Sequence, residues 1–219
     1  MQMRTLILAG LALFSLLIPL PVSAQWTLGA QVGPARSKVS GDAPDKVHYR
    51  TRTGLTVSLL VEYAITPHVS VGVEPGYASR GTGLALEVPN VKEPVDTADL
   101  SLSYLTLPVL AKVYSGGRRA FVTAGLELGY LSEAELELGG GSESLKQSFQ
   151  DTSVSALFGV GTRFRAGPAE WLLSVNYVQA IVSIVDSAPE DSEGFFPARF
   201  RTSGLEFKGG VLFQLGGGR

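Results

Sequence analysis

The chain has no cysteine anywhere in its 219 residues. Disulfides and thiolate-ligated metals are excluded at once. So is lipoprotein anchoring, which needs a cysteine to acylate after the leader. Histidine is nearly absent: His48 and His68 are the only two, too few and too far apart for a zinc site of the usual kind. No sign of charge dominates, with 18 basic residues against 20 acidic ones for a net −2. A nucleic-acid partner would need a basic footprint, and there is none. Beyond residue 24 no apolar run is long enough for a membrane helix. Gly139-Gly140-Gly141 precedes neither a Lys-Ser/Thr pair nor a helix pattern, so it is a hairpin apex and not a phosphate loop. No cofactor motif is present, and no cofactor is expected.

What is present begins with a removable leader. Arg4 supplies one positive charge, an apolar stretch runs from Leu6 to Leu20, and Val22-Ser23-Ala24 offers a small-residue cleavage site before Gln25. The run is short, and Pro19 and Pro21 break its end, which argues against a membrane anchor. Two segments are expected: a signal peptide over 1–24 and one domain over 25–219.

The mature part combines a positive whole-chain mean hydropathy of +0.21 with 26 glycines. Apolar residues alternate with small or polar ones, the period of a strand. Leu205, Phe207, Gly209, Val211, Phe213 and Leu215 share one face, with Glu206, Lys208 and Gln214 on the other. Leu55, Val57, Leu59, Val61 and Tyr63 repeat the pattern, as do Val154, Ala156, Phe158, Val160 and Phe164. Eight such segments begin near Trp26, Arg52, Val69, Leu100, Arg119, Asp151, Glu170 and Arg201. Most run ten residues or more, whereas soluble strands average about 5–6 and a tilted membrane strand needs about 9–11.

The connections alternate in length. Thr66-Pro67-His68, Ser115-Gly116-Gly117-Arg118 and Gly167-Pro168-Ala169 are tight turns. Between them lie long polar stretches over Gly33–Tyr49, Arg80–Asp99, Ala134–Gln150 and Val182–Phe200. Membrane barrels sort short turns and long loops to opposite ends. The expected fold is therefore all-β: an eight-stranded antiparallel up-and-down transmembrane β-barrel in the bacterial outer membrane. An even strand count puts both termini at the periplasmic end.

Alternation places Glu62, Glu74, Glu127 and Glu206 inside with Lys112, Arg163, Arg165 and Lys208. An eight-stranded barrel is just wide enough for side chains to fill it, so these charges should pair into a network that closes the lumen. Trp26, Tyr63, Tyr77, Tyr104, Tyr114, Phe121, Tyr130, Phe164, Trp171 and Tyr177 lie near strand ends, where interfacial aromatic girdles are expected. One strand breaks phase. Leu100 and Leu102 are even, but Leu105, Leu107, Val109, Ala111 and Val113 are odd. Either a β-bulge near Ser103 or Tyr104 reconciles them, or Leu100 and Leu102 stand above the membrane. Pro108 removes one ladder hydrogen bond there.

The segment Ser103-Tyr104-Leu105-Thr106-Leu107-Pro108-Val109-Leu110-Ala111-Lys112-Val113-Tyr114 resembles a recurrent piece of the PorT-like outer-membrane β-barrel family of the Bacteroidota. The Gly116-Gly117 turn, the strand Phe121–Tyr130 with Ala124-Gly125 and Gly129-Tyr130, and Leu157-Phe158-Gly159-Val160-Gly161-Thr162-Arg163-Phe164 are similar to the later turn and strands of that family. The resemblance implies the barrel fold and the membrane; it implies no activity. Thr106 stands where the family usually has an acid, and the chain ends on Gly216-Gly217-Gly218-Arg219 instead of the terminal aromatic that assembly machinery reads, leaving Phe213 to serve.

No enzyme is expected. His48 has Ser37, Ser40, Asp42 and Asp45 near it only in sequence, and a hydrolytic triad requires convergence in space. The loop acids Asp42, Asp45, Glu87, Glu93, Asp96, Asp99, Asp186, Glu190, Asp191 and Glu193 read as solvated residues, with Ca²⁺ binding the alternative. The expected role is structural, adhesive or partner-docking, carried by the outer loops. Outer-membrane lipid, the barrel-assembly machinery and an unidentified envelope protein are the expected partners. A soluble barrel carrying an apolar ligand and a narrow channel are the competing readings. A charged, narrow lumen argues against the first, and its balanced charge against the second.

Overall fold

The structure is a computed structural model that describes residues 26–40, 47–86, 95–138, 141–144, 150–167, 169–182 and 201–215. The leader, most of the loop acids, Gly139 and Gly140 lie outside the described residues. The strands are β1 (Trp26–Ser40), β2 (Val47–Ala64), β3 (Val69–Val73), β4 (Gly76–Leu86), β5 (Val95–Tyr114), β6 (Ala120–Leu138), β7 (Gly141–Ser144), β8 (Thr152–Ala166), β9 (Ala169–Ala180) and β10 (Arg201–Leu215). All pairings are antiparallel, and β1 closes the ring on β10 from Trp26↔Leu215 to Ser40↔Arg201.

Ten strands make eight ring positions. β3 and β4 are halves of one strand, because Val61 opposes Val73 and Val57 opposes Tyr77 in a single register. Prolines cause the interruption. Leu59 N–H donates to the Pro75 carbonyl at 2.9 Å and Glu74 N–H donates to the Pro108 carbonyl at 3.0 Å, but neither proline can donate in return. β7 is a short strand pairing only with the far end of β6. The result is an eight-stranded, all-β antiparallel barrel. Among the described residues no helix is long and apolar enough to cross a membrane.

The faces are inverted relative to a soluble protein. Leu59 is 61% exposed and Phe158 57%, while Glu62 is 1% exposed and Lys112 2%. Only an apolar solvent around the barrel makes that arrangement favourable. On β5 the outward apolar residues are Leu105, Leu107, Val109, Ala111 and Val113. At about 3.4 Å per residue and about 40° of tilt, this stretch spans roughly 21 Å, close to the height of a barrel's apolar band.

Three expectations need correction. Three of the four long connections give way to strand: β1 runs to Ser40, β2 begins at Val47, β4 runs to Leu86, β5 begins at Val95 and β6 runs to Leu138. Polar residues there form strands that extend beyond the apolar band, so His48 belongs to a strand. β5 holds a single phase throughout, with Leu100, Leu102 and Tyr104 all buried inside. The register does shift at Ser103/Tyr104, but the extra residue, Ser132, is on β6. The bulge turns the inward face of β6 from Leu131 to Ala134. Finally, Tyr104, Tyr114 and Phe121 are inside, at 2%, 4% and 4% exposure, not in the girdle. Trp26, Tyr77, Tyr130, Phe164, Trp171 and Tyr177 do face outward. Tyr77 and Ser103 share a 2.9 Å hydroxyl contact, and Tyr177 donates to Gln179 at 2.7 Å, which ties each ring to the polar side of the band.

Candidate functional site: the lumen ion-pair chain

Inward positions recur every second residue, so strands deliver charges to the axis at fixed heights. β2 supplies Glu62, β5 Lys112, β6 Glu127, β8 Arg163, and β10 both Glu206 and Lys208. Glu74 sits at the proline break between β3 and β4, and Arg80 follows it on β4.

These side chains form one continuous path. Glu62 accepts from Arg163 at 2.5 Å, Arg118 at 3.1 Å and the Tyr114 hydroxyl at 2.8 Å, with the Ser70 hydroxyl also at 2.8 Å. Lys112 lies 3.5 Å from Glu62 and 2.8 Å from Glu74. Glu74 also accepts from the Gln31 amide at 2.6 Å and lies 3.7 Å from Lys208. Lys208 reaches Glu206 at 3.0 Å. Arg80 joins Glu206 at 2.7 Å to Glu127, which it grips through two nitrogens at 2.6 and 3.0 Å. A planar guanidinium can grip one carboxylate through two nitrogens while it reaches a second, a fork that the single nitrogen of Lys112 or Lys208 does not offer.

Apolar side chains pack around this path. Leu60, Tyr114, Phe121, Leu172 and Leu212 form one cluster. There the Arg163 and Arg118 guanidiniums lie 4.7 and 4.1 Å from the Tyr114 ring centre, adding cation–π attraction. Gly161 makes this possible: a Cβ there would fall 2.2 Å from the Phe121 ring. At the other end Leu100, Leu102, Tyr104, Leu131 and Ala134 pack together, with Tyr49 and Leu136 against them. Leu110, Leu157 and Val178 form a third cluster.

Seven of the eight residues expected in the lumen lie on this path: Glu62, Glu74, Lys112, Glu127, Arg163, Glu206 and Lys208. Arg165 does not. It is exposed two residues beyond Arg163, opposite Glu170 near the β8–β9 turn, and shares the mouth with Arg118 and Arg119. Arg165 shares the parity of Arg163, but the enclosed part of the barrel ends at Arg163. Arg80 was missed because its polar neighbours read as a loop. Extending the even-numbered phase of Glu74 and Ala78 by one step would have found it. Arg118 was also missed, because a turn residue has no strand phase.

A closed antiparallel ring with an apolar exterior and a paired polar interior is the geometry of a bacterial outer-membrane barrel. Residues 21–186 match the family described as outer membrane protein beta-barrel domain. The chain belongs to that family. Its setting is therefore the outer membrane, and membrane lipid surrounds the barrel. Among curated proteins no sequence matches. Three solved barrels are similar to this one. Neisserial surface protein A is 15% identical, with 86% of this chain and 97% of that one covered and a TM-score of 0.47. Ail, the attachment invasion locus protein of Yersinia pestis, is 18% identical over 86% and 99% at a TM-score of 0.45. OprG of Pseudomonas aeruginosa is 14% identical over 87% and 96% at a TM-score of 0.44.

Among the described residues no group of three or more His, Cys, Asp or Glu is placed to hold a metal ion. Asp99 is exposed on β5, and the other acids considered for Ca²⁺ lie outside the described residues or in stretches whose side chains are not described. His68 is exposed in the β2–β3 turn, where its N–H bonds the Thr66 hydroxyl at 3.2 Å.

Proposed function

We propose that this outer-membrane barrel is a non-conducting scaffold. Its lumen is shut by the Glu62-to-Glu127 chain, and its work is structural, adhesive or partner-docking through the hairpins at the loop end. The observation that carries the reading is the ion-pair path itself. Four buried acids meet Arg80, Lys112, Arg163 and Lys208, each charge within 4 Å of an opposite one. A conducting pore would need that path broken, and a buried carboxylate or cation left unpaired is costly.

The tight turns, Trp26 and Leu215 share one end, which we assign to the periplasm. The extended hairpins β1–β2, β4–β5 and β6–β7 then face outward. Residues 1–24 act as the export signal, and assembly machinery reads the final strand through Phe213, which is 59% exposed. The Tyr104–Lys112 segment supports a place near the PorT-like branch, with an envelope protein as partner. A soluble carrier of apolar ligands is disfavoured by the charged interior.

Planar-bilayer recording tests the reading. The wild-type barrel is expected to give no resolved conductance, and the Arg80→Ala/Lys112→Ala/Lys208→Ala variant is expected to conduct. Resolved wild-type current would refute the closed lumen.

A further inference from the structure

Above the apolar band the barrel is not the same all round. On β5 and β6 the outward residues are Asp99, Glu133, Glu135 and Glu137. On β1 they are Arg36 and Lys38, which are exposed and form no ion pair among the described residues. A shallow cavity of about 300 Å³ lies between these two bases, the Thr51 and Ser203 hydroxyls, and Tyr177 and Leu205.

A second groove of about 540 Å³ lies beside it, along Val32, Pro34, Leu173, Val175, Phe207 and Gly209. The two are contiguous. On β1 Pro34 is followed outward by Arg36, on β9 Val175 by Tyr177, and on β10 Phe207 by Leu205. Gly209 creates the lower depression, since a Cβ there would touch only Leu173, at 3.5 Å. Gly209 lies six positions along β10 from Ser203. At about 3.3 Å each and about 40° of tilt, the drop is roughly 15 Å, half of a hydrocarbon core about 30 Å thick.

We propose that this face is a binding site for a phosphate-bearing lipid of the leaflet at the loop end. Its phosphate sits between Arg36 and Lys38, and an acyl chain lies in the groove over Gly209. The charge points to an anion, and no carboxylate lines either cavity. The lower groove lies within the apolar band, where a water-soluble partner does not reach. A second copy related by a two-fold axis would bring its own Arg36 and Lys38 against the first pair. A lipid satisfies both halves at once. The inference rests on the membrane setting, and not on which end of the barrel faces out.

The test uses the full barrel folded into phosphatidylcholine nanodiscs containing phosphatidic acid, followed by transfer to neutral detergent. Native mass spectrometry then counts the phosphatidic acid retained. Wild type is expected to keep it, and Arg36→Ala/Lys38→Ala to retain it about thirtyfold more weakly, at the usual contribution of each base near a membrane surface. Gly209→Leu fills the groove and is expected to lower retention with both bases intact. Glu133→Gln/Glu137→Gln, on the far side, is expected to leave it unchanged. Heat-modifiable gel mobility checks that every variant is folded, so a failure to insert is read separately from a failure to bind. Equal retention in either the basic or the Gly209 variant overturns the proposal. So does displacement by equimolar inorganic phosphate, which would mark a simple anion site with no use for the acyl chain.

Discussion

Replacing Arg80 with methionine isolates the most strongly coupled point of the lumen. Arg80 is 5% exposed and holds Glu127 through two nitrogens and Glu206 through one. Without it Glu206 still has Lys208 at 3.0 Å, but Glu127 loses the only cation paired with it among the described residues. Removing one partner of a buried pair costs about 3–5 kcal/mol, because the other charge stays buried and uncompensated. Arg80→Met should therefore lower the unfolding free energy by about that amount. Glu127→Gln should cost less, about 1–3 kcal/mol, because Arg80 keeps Glu206 and the amide oxygen still accepts a hydrogen bond. The double variant should be less damaged than the sum by about 1–3 kcal/mol, the signature of groups in direct contact. Urea unfolding of the barrel in lipid vesicles, followed by the fluorescence of Trp26 and Trp171, measures all three. Both tryptophans lie on the outward face, at 48% and 42% exposure, so their signal reports loss of the lipid-facing wall. Additive losses, or an Arg80→Met barrel within about 0.5 kcal/mol of wild type, would refute the reasoning.

Arg163→Leu should destabilise by about 1–3 kcal/mol, because Glu62 loses a charged hydrogen bond but keeps Lys112 and Arg118, while Arg165→Ala should stay within about 0.5 kcal/mol; the same urea titration compares them. Gly161→Val should cost at least about 1–3 kcal/mol by driving a side chain into the Phe121 ring, and Phe121→Ala in the same chain should recover part of that loss. Leu107→Arg should cost about 2–4 kcal/mol if the residue lies near the bilayer centre, against about 0–1 kcal/mol for Ser101→Arg on the same face of β5 beyond the band; equal costs would place the lipid boundary elsewhere.

Strand existence, facing and closure were legible because period-two alternation is strong where one face meets lipid. Val57, Leu59 and Val61 leave little choice of face. The same signal fades once a strand leaves the membrane, where both faces can be polar. Ser37-Lys38-Val39-Ser40 and Val47-His48-Tyr49 therefore read as loop although they are paired strand. Arg80 was lost for that reason. Leu100 and Leu102 misled in the opposite direction: apolar residues in a membrane strand suggest a lipid face, but here they fill the lumen around Tyr104. The switch of the apolar residues from even to odd positions was visible in the sequence. What was not visible is that an extra residue on β6, Ser132, accommodates the neighbouring register. Tyr114 and Phe121 lie near strand ends as girdle residues do, and only their parity sends them inside.

Labelling along β5 tests the central claim most directly, and a chain with no cysteine makes it clean. Single cysteines placed one at a time from position 99 to 113 would carry nitroxides in a barrel reconstituted into vesicles. Power-saturation spectra would compare collisions with lipid-soluble oxygen and with a water-soluble nickel chelate. The account predicts high oxygen access at 105, 107, 109, 111 and 113, and nickel access at 99 and 101. It predicts neither at the even positions from 100 to 112, in one unbroken alternation. Nickel access at 106, 110 and 112 would reveal a water-filled lumen, and a reversal of phase between 102 and 105 would contradict the single-phase strand on which the closed interior depends.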